Sequence, residues 1–330
     1  MRWTRLLVAG ALALGAAWTP GVAAANQRGA VSRPLSPDLT ALVTWVQRIS
    51  AAQQPALIAY RQCQPIMERA MTLLGDAKAM RALLPEMTGC MADFETASRV
   101  SSSQLVAEGP MPTVFERMIG VDSAAMMRQS AATLEAMAIA LRDVRNGVEK
   151  AADGDLEAAR ALFRKGKVGA VASIDAQIQI LQLLAKSTTA PAVRPMVELR
   201  VAFARVLRAA LLAEETRQGV EVGDSLRSLA PEARDALGRL RKDWATSSAP
   251  MRQAAARLGD PRRESIVARM DGAYQTVFAR ADMLVHVLDQ APVGTAQPAD
   301  VQRVIMKVAE FEIHIQEMAA SLSSSMVEKH

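Results

Sequence analysis

The chain has 330 residues, a formal net charge of +5 at pH 7, and a hydrophobic content of 50% with only 4% aromatic residues. This small charge excess, with few aromatic side chains to stack on bases, argues against a nucleic-acid-binding protein, which usually carries a concentrated basic patch. Strands favour aromatic and β-branched residues, whereas the Ala, Leu, Met and Arg that abound here favour helices, so the composition predicts an all-α fold.

The first 25 residues have the three parts of a secretory signal peptide. Arg2 and Arg5 give a basic start, Leu6–Trp18 is an uncharged apolar run, and small residues continue to Ala25. The run is shorter than the ~20 apolar residues that a membrane-spanning helix needs. We therefore predict that residues 1–25 are removed and that the mature chain is periplasmic or secreted, with no membrane span. An uncleaved anchor is the alternative.

Residues 26–35 are polar, lack periodicity and are predicted to be a disordered leader. Ser36-Pro37-Asp38 then has the pattern of a helix start, with an N-cap, a proline at the first helical position and an early acid. From residue 36 to residue 188 we predict a first helical bundle. Its first hairpin spans Pro55–Gly109 and turns at Leu74-Gly75-Asp76, and Pro55 and Pro65 are expected to kink or interrupt the first limb.

The only two cysteines, Cys63 and Cys90, lie 12 residues before Gly75 and 15 residues after it. In antiparallel helices that meet at this turn, the two thiols face each other at nearly the same height. Packed helices can bring such positions within the ~4.4–6.8 Å Cα separation that a disulfide requires. A redox-active pair is the alternative, but catalytic dithiols are usually two residues apart at a helix N-terminus. For an exported protein we therefore predict a structural disulfide between Cys63 and Cys90.

Methionines accompany the cysteines on the same hairpin. The sulfur-bearing residues of its two limbs are Cys63, Met67, Met71, Met80, Met87, Cys90 and Met91. Thiolate and thioether sulfurs together select a soft ion such as Cu(I), so soft-metal binding is an alternative function. We favour the interpretation that the methionines are adaptable core fillers, because a stripe at helical spacing is first of all core. An oxidised cysteine pair also offers no thiolate to a metal.

Two long amphipathic helices are predicted to follow. The first begins at Asp122 or Ser123 and ends near Ala152, and Asp153-Gly154-Asp155 supplies the turn and the next N-cap. The second covers Leu156 to Lys186. Gly166 and Gly169 mark either a weak point in this helix or a site where another helix approaches closely.

Residues 191–326 are predicted to form a second helical bundle, joined to the first near Thr188–Pro191; one elongated bundle is the alternative. The last two helices keep a strict three-four alternation of apolar residues, which is typical of knobs-into-holes packing. A connection that contains Pro292 and Gly294 predicts that they pair as an antiparallel hairpin. The apolar positions are Val267, Met270, Tyr274, Val277, Ala281, Leu284 and Leu288, then Val301, Val304, Val308, Phe311, Ile315, Met318 and Leu322.

Each of these two helices carries a histidine between acids. The two strings are Asp282, His286, Asp289 and Glu310, His314, Glu317. Bundled di-metal proteins use carboxylates and histidines on facing helices, but with a Glu-x-x-His spacing that is absent here. If the two helices fold back on each other at the connecting loop, the two strings lie about 11 residues apart along the helices, or ~16 Å. We predict no metal site and interpret both strings as a charged surface with pairs at i,i+4.

The sequence contains no Gly-rich phosphate loop, haem-attachment motif, His-Glu-x-x-His or Gly-x-Ser-x-Gly. We therefore predict no catalytic, cofactor-binding or metal-binding residues and no enzymatic activity. The predicted function is an exported helical-bundle protein that acts as a binding or interaction module in the cell envelope. Its protein or small-molecule partner is not identified by the sequence, and a homo-oligomer formed through the last heptad seam is a further hypothesis.

Overall fold

The structure, a computed structural model, describes residues 37–73, 76–119, 122–187, 193–215, 220–223, 225–258, 261–291, 294–297, 300–301, 303–312 and 314–315. Several predictions therefore lie outside the described residues. These are the signal peptide at 1–25, the leader at 26–35, Leu74 and Gly75 of the first turn, the boundary at 188–191, and the end of the last helix.

The all-α fold is confirmed, with consecutive long helices packed against one another. The helices are α1 (Pro37–Thr72), α2 (Ala77–Ala107), α3 (Thr113–Ile119), α4 (Ser123–Ala152), α5 (Leu156–Ser187), α6 (Val193–Leu212), α7 (Ser225–Ser228), α8 (Ala230–Leu258) and α9 (Pro261–Asp289). A further helical segment, α10, has the described residues 300–301, 303–312 and 314–315. The hairpin α1–α2 packs through α2 on α4, α4 packs on α5, α5 on α6, α6 on α8, and α8 on α9. The molecule is thus a series of antiparallel helices in chain order.

The helix ends follow from the capping residues that the sequence provides. Asp76 accepts hydrogen bonds from the backbone N–H groups of Lys78 and Ala79, and Asp122 accepts one from Ala125. Asp155 accepts one from the N–H of Ala158 at the start of α5, after Gly154 has turned the chain with a φ of 86°. These carboxylates satisfy N–H groups that have no partner inside the helix. Asp122 and Asp155 are caps that the sequence predicted, and Asp76 is a further one.

Helix α1 runs without interruption through both of its prolines, where the sequence led us to expect a kink or a break. Proline removes one hydrogen bond from the helical ladder and crowds the preceding turn. Beside Pro55, the neighbouring helix supplies a replacement partner, because the N–H of Ala56 donates to Ser101 Oγ at 3.2 Å. Tertiary packing therefore carries the helix across a position at which an isolated segment would break.

A small antiparallel sheet, which the sequence did not predict, lies between the long helices. Its strands β1 (Glu214–Glu215), β2 (Val220–Gly223) and β3 (Gly294–Ala296) lie in the order β1-β2-β3. In β2 the side chains alternate as strands require, with Val220 and Val222 buried and Glu221 exposed. The strands have two to four residues, which is too short for a period of two to be recognised in the sequence.

Helices α4 and α5 approach each other closely through glycines. A Cβ atom added to Gly166 of α5 would lie 2.9 Å from Val144 Cγ2 and 3.2 Å from the carbonyl oxygen of Ala140, both on α4. A Cβ added to Gly147 of α4 would lie 2.6 Å from the ring of Phe163. Of the two possibilities that the sequence left for Gly166, the close helix approach is the one observed.

The buried apolar side chains form one continuous cluster that extends from Trp45 in α1 to Ile315 in α10. Helix α5 packs on α6, so contact continues across the boundary predicted near residues 188–191. The division into bundles at 36–188 and 191–326 stays a prediction. One described helix is long and apolar enough to cross a membrane by length and composition alone, over Leu156–Lys186, and 44% of its apolar window is buried inside the molecule.

The terminal segment α10 is attached to α6 by a buried ion pair. Arg200 donates from Nε and Nη2 to Glu312 Oε2 at 3.0 and 2.8 Å, and the two residues are only 4% and 2% exposed. Beside them, the rings of Phe203 and Phe311 meet edge to face with centroids 4.6 Å apart. These contacts join α10 to α6; the predicted pairing of α9 with α10 stays a prediction.

Candidate functional site

The predicted disulfide is present. Cys63 of α1 and Cys90 of α2 are bonded, with Cα atoms 5.4 Å apart, and both are buried. On either side of the bridge, Arg69 pairs with Glu86 at 3.0 Å and Arg48 with Glu108 at 3.1 Å, which is the register that antiparallel limbs require. The bridge is enclosed by core residues and has the position of a structural cross-link.

The methionines around this bridge are part of the core. Met87 and Met91 are buried, and Met80 is partly buried against the same apolar cluster. The side chains of Met67 and Met71 lie outside the described residues. With both cysteines in a disulfide, neither offers the thiolate that the Cu(I) alternative used. Across the described part of the chain, no group of three or more His, Cys, Asp and Glu side chains could hold a metal ion.

The acids of the first histidine string pair with the neighbouring helix. Asp282 pairs with Arg241 and Asp289 with Arg234 at 2.5 Å, both arginines being on α8, while His286 is exposed beside them. These pairs cross between helices, whereas the sequence analysis expected i,i+4 pairs within one helix. The hydrogen bond and the charge of Asp289 raise the pKa of Arg234 above its ordinary value.

In the second string, Glu310 pairs with Lys307 at 2.7 Å, three residues earlier on α10. His314 is half-buried, where the sequence analysis expected an exposed residue, and Glu317 lies outside the described residues. The structure does not bring the described members of the two strings together as a metal-binding group.

An aromatic stack lies in the same α8–α9 seam. The indole of Trp244 lies over the ring of Tyr274 with centroids 3.7 Å apart, and Trp244 Nε1 donates to Asp271 at 3.1 Å. Burial of Tyr274 in this seam raises the pKa of its phenol from 10.0 to about 12. The contact between α8 and α9 is therefore a packed interface with charged side chains at its edge. It leaves no space for a ligand between the two rings.

A groove with a volume of about 840 Å³ lies where α5, α6, β2 and the segment before α8 meet. Its apolar lining residues come from all four elements and are Ile178, Ala209, Leu212, Ala213, Val222 and Leu229. Its charged lining residues are Asp175, Arg205, Arg208 and Glu221. The groove thus combines an apolar floor with charges of both signs, within the ~300–1,000 Å³ size of small-molecule sites.

Ion pairs fix the arginines of the groove. Arg208 of α6 donates from Nε to Asp175 Oδ1 of α5 at 2.5 Å, and Arg205 pairs through Nη1 with Glu232 of α8. Near them, Lys167 Nζ donates to the carbonyl oxygen of Ala213 at 3.1 Å, where α6 ends. Both arginine side chains remain about two-fifths exposed, so each is held in place while part of its guanidinium still faces solvent.

The groove was not predicted from the sequence. Phe203, Val206 and Ala210 lie on the core face of α6 and are buried. A second apolar row, Ala209 and Leu212, lies beside Arg205 and Arg208 at helical spacing, and Leu212 is 43% exposed. That second row could have indicated an exposed apolar surface on α6. It becomes part of a groove only beside the small sheet, which the sequence did not predict.

Comparisons of the chain with models of known protein families, with curated proteins and with solved structures gave no match.

Proposed function

We propose that this chain is an exported, non-enzymatic binding module of the cell envelope, and that the groove between α5, α6 and β2 is its ligand site. The observation that carries the proposal is the groove itself, with about 840 Å³ of space above a floor of apolar side chains. Leu212 in its lining is 43% exposed, and covering such a side chain with a ligand removes apolar area from water.

Export is supported by the sequence and by the disulfide. The leader at residues 1–25 has the charge and length of a signal peptide. A buried Cys63–Cys90 bridge is the kind of cross-link that persists in oxidising compartments such as the periplasm. The long helices that build the groove supply a rigid scaffold, which favours binding by a preformed site.

A substitution that fills the groove tests this function. Ala209→Phe places a ring on the apolar floor, whereas Ala245→Phe places the same ring on the exposed face of α8, away from the groove. We expect the neutral apolar dye N-phenylnaphthylamine to gain fluorescence with the wild-type protein and with Ala245→Phe, but not with Ala209→Phe. Equal fluorescence with both variants, or none with the wild-type protein, would contradict a ligand site in the groove.

A further inference from the structure

We propose that the groove is selective for a zwitterionic amphiphile, with the anionic group held by Arg205 and Arg208, the cationic group held beside Glu221, and the aliphatic body on the apolar floor. This inference rests on the proposed function, since it names the class of ligand for the same site.

Arg205 and Arg208 lie three residues apart on α6, so their side chains are neighbours on one face of the helix. Each guanidinium has five N–H donors, of which the structure uses one from Arg208 with Asp175 and one from Arg205 with Glu232. The remaining donors have no partner among the described residues. Two adjacent forks of this kind bind a carboxylate, sulfonate or phosphate group in a bidentate manner.

The acids that pair with these arginines, Asp175 and Glu232, are neutralised by them. Glu221 of β2 differs, because its carboxylate is exposed and makes no ion pair with any described residue. A cationic group bound beside Glu221 would supply the counter-charge that no described residue provides.

The two charged regions share one apolar floor. Ala209 and Leu212 belong to α6, which carries both arginines, Ile178 belongs to α5, and Val222 follows Glu221 on β2. A purely anionic ligand would satisfy the arginines but would add a negative charge near Glu221. A purely cationic ligand would satisfy Glu221 but would add a positive charge near the arginines. A head group with both charges satisfies both regions, and its aliphatic tail covers the floor.

Calorimetric titration with four probes that have unbranched alkyl chains of nearly equal length tests the inference. The probes are decyl sulfobetaine (zwitterionic), decanoate (anionic), decyltrimethylammonium (cationic) and decyl maltoside (neutral), each below its micelle concentration. We expect the sulfobetaine to bind the wild-type protein about ten-fold more tightly than the neutral probe, which corresponds to one net charge-assisted hydrogen bond.

Two variants distinguish the charged regions. Arg208→Gln is expected to weaken the sulfobetaine and decanoate about ten-fold and to leave decyltrimethylammonium bound no less tightly. Glu221→Gln is expected to weaken the sulfobetaine and to strengthen decanoate, since it removes a negative charge from the groove. Arg239→Gln is the matched control: Arg239 pairs with Glu198 at 3.1 Å and lies outside the groove, so all four affinities should stay unchanged.

Three results would overturn the inference. If the neutral probe binds as tightly as the sulfobetaine, the groove is an apolar site without charge recognition. If decanoate or decyltrimethylammonium binds most tightly, the ligand class is wrong although a ligand site exists. If none of the four probes binds, the proposed function of the groove fails together with its ligand class.

Discussion

At the scale of single residues, close packing makes particular side chains indispensable in this molecule. Gly166 has no room for a methyl group, because a Cβ would meet Val144 Cγ2 at 2.9 Å and the Ala140 carbonyl oxygen at 3.2 Å. Neither neighbour is the flexible end of a long side chain. The separation of α4 and α5 is therefore set by this glycine, and a larger residue has to push the two helices apart.

Gly166→Ala is accordingly expected to lower the free energy of unfolding by about 1–3 kcal/mol, the usual cost of overpacking. Gly238 of α8 is the matched control, because a Cβ there has no neighbouring atom within 4 Å. Gly238→Ala should raise stability by up to about 1 kcal/mol through helix propensity alone. Urea unfolding of the two variants checks both signs, and a stabilised Gly166→Ala would contradict the close approach.

Tyr274 predicts how stability depends on alkaline pH. Its pKa is raised by burial from 10.0 to about 12, so the phenol keeps its proton longer in the folded state than in the unfolded state. Above pH ~10 the unfolded state loses the proton first and is stabilised, so the free energy of unfolding falls by about 2–3 kcal/mol in total by pH ~12. Unfolding of Tyr274→Phe across this range should lack that part of the loss, and identical pH profiles would contradict the burial of the phenol.

Arg200 and Glu312 form an ion pair in which both side chains are almost fully buried. Glu312→Gln leaves the guanidinium of Arg200 buried without a counter-charge and should lower the free energy of unfolding by about 3–5 kcal/mol. The double variant Arg200→Met/Glu312→Leu should recover most of that loss, since apolar residues often replace a buried pair without cost. Denaturant midpoints measure both variants. A Glu312→Gln midpoint equal to wild type would show that Arg200 is not buried against α10.

At the level of the helices, a different kind of contact is the strongest in each of the two hairpins. In α1–α2 the contact is a covalent bond, and Tyr60 and Phe94 pack beside it with ring centroids 6.1 Å apart. In α8–α9 it is the Trp244–Tyr274 stack, with ion pairs only along the rim. Exposed ion pairs contribute about 0–1 kcal/mol each, so the rim pairs contribute mainly to register.

The disulfide should therefore dominate the stability of the first hairpin. Cys63→Ala/Cys90→Ala removes a cross-link that closes a loop between residues 27 apart in sequence, for which chain entropy predicts a loss of about 3–4 kcal/mol. Thermal unfolding of the double variant and of the reduced wild-type protein should give similar decreases in midpoint. If reduction left the midpoint unchanged, the bridge would have no structural role.

In the molecule as a whole, the features that could be predicted from the sequence are those that depend on residues close to one another in the chain. Helix caps such as Asp122, the α4–α5 turn and the Cys63–Cys90 pair follow from the spacing of a few neighbouring residues, and the structure contains all of them. The groove depends on how α5 and α6 meet a small sheet whose strands come from two distant connections. The spacing of residues within one segment does not show which distant segments come into contact. Arg208 and Glu221 could therefore not be recognised from the sequence as residues of one site.

The same distinction explains the differences found within helices. Pro55 predicts a break in an isolated helix, but Ser101 on α2 supplies a hydrogen-bond acceptor at that point. Asp282 and Asp289 were interpreted within their own helix, but the arginines of α8 pair with them. In each case a side chain from another helix outweighs the local preference.

Intact-mass measurements can show whether the protein is exported, is linked by the disulfide and carries a ligand in its α5–α6 groove. The protein is produced with its leader, recovered from the export compartment, and weighed under native and denaturing conditions with and without thiol labelling. We expect a chain that begins at Asn26, two cysteines that resist labelling, and an extra native mass that disappears on denaturation. A full-length chain with free thiols and no bound mass would contradict these expectations.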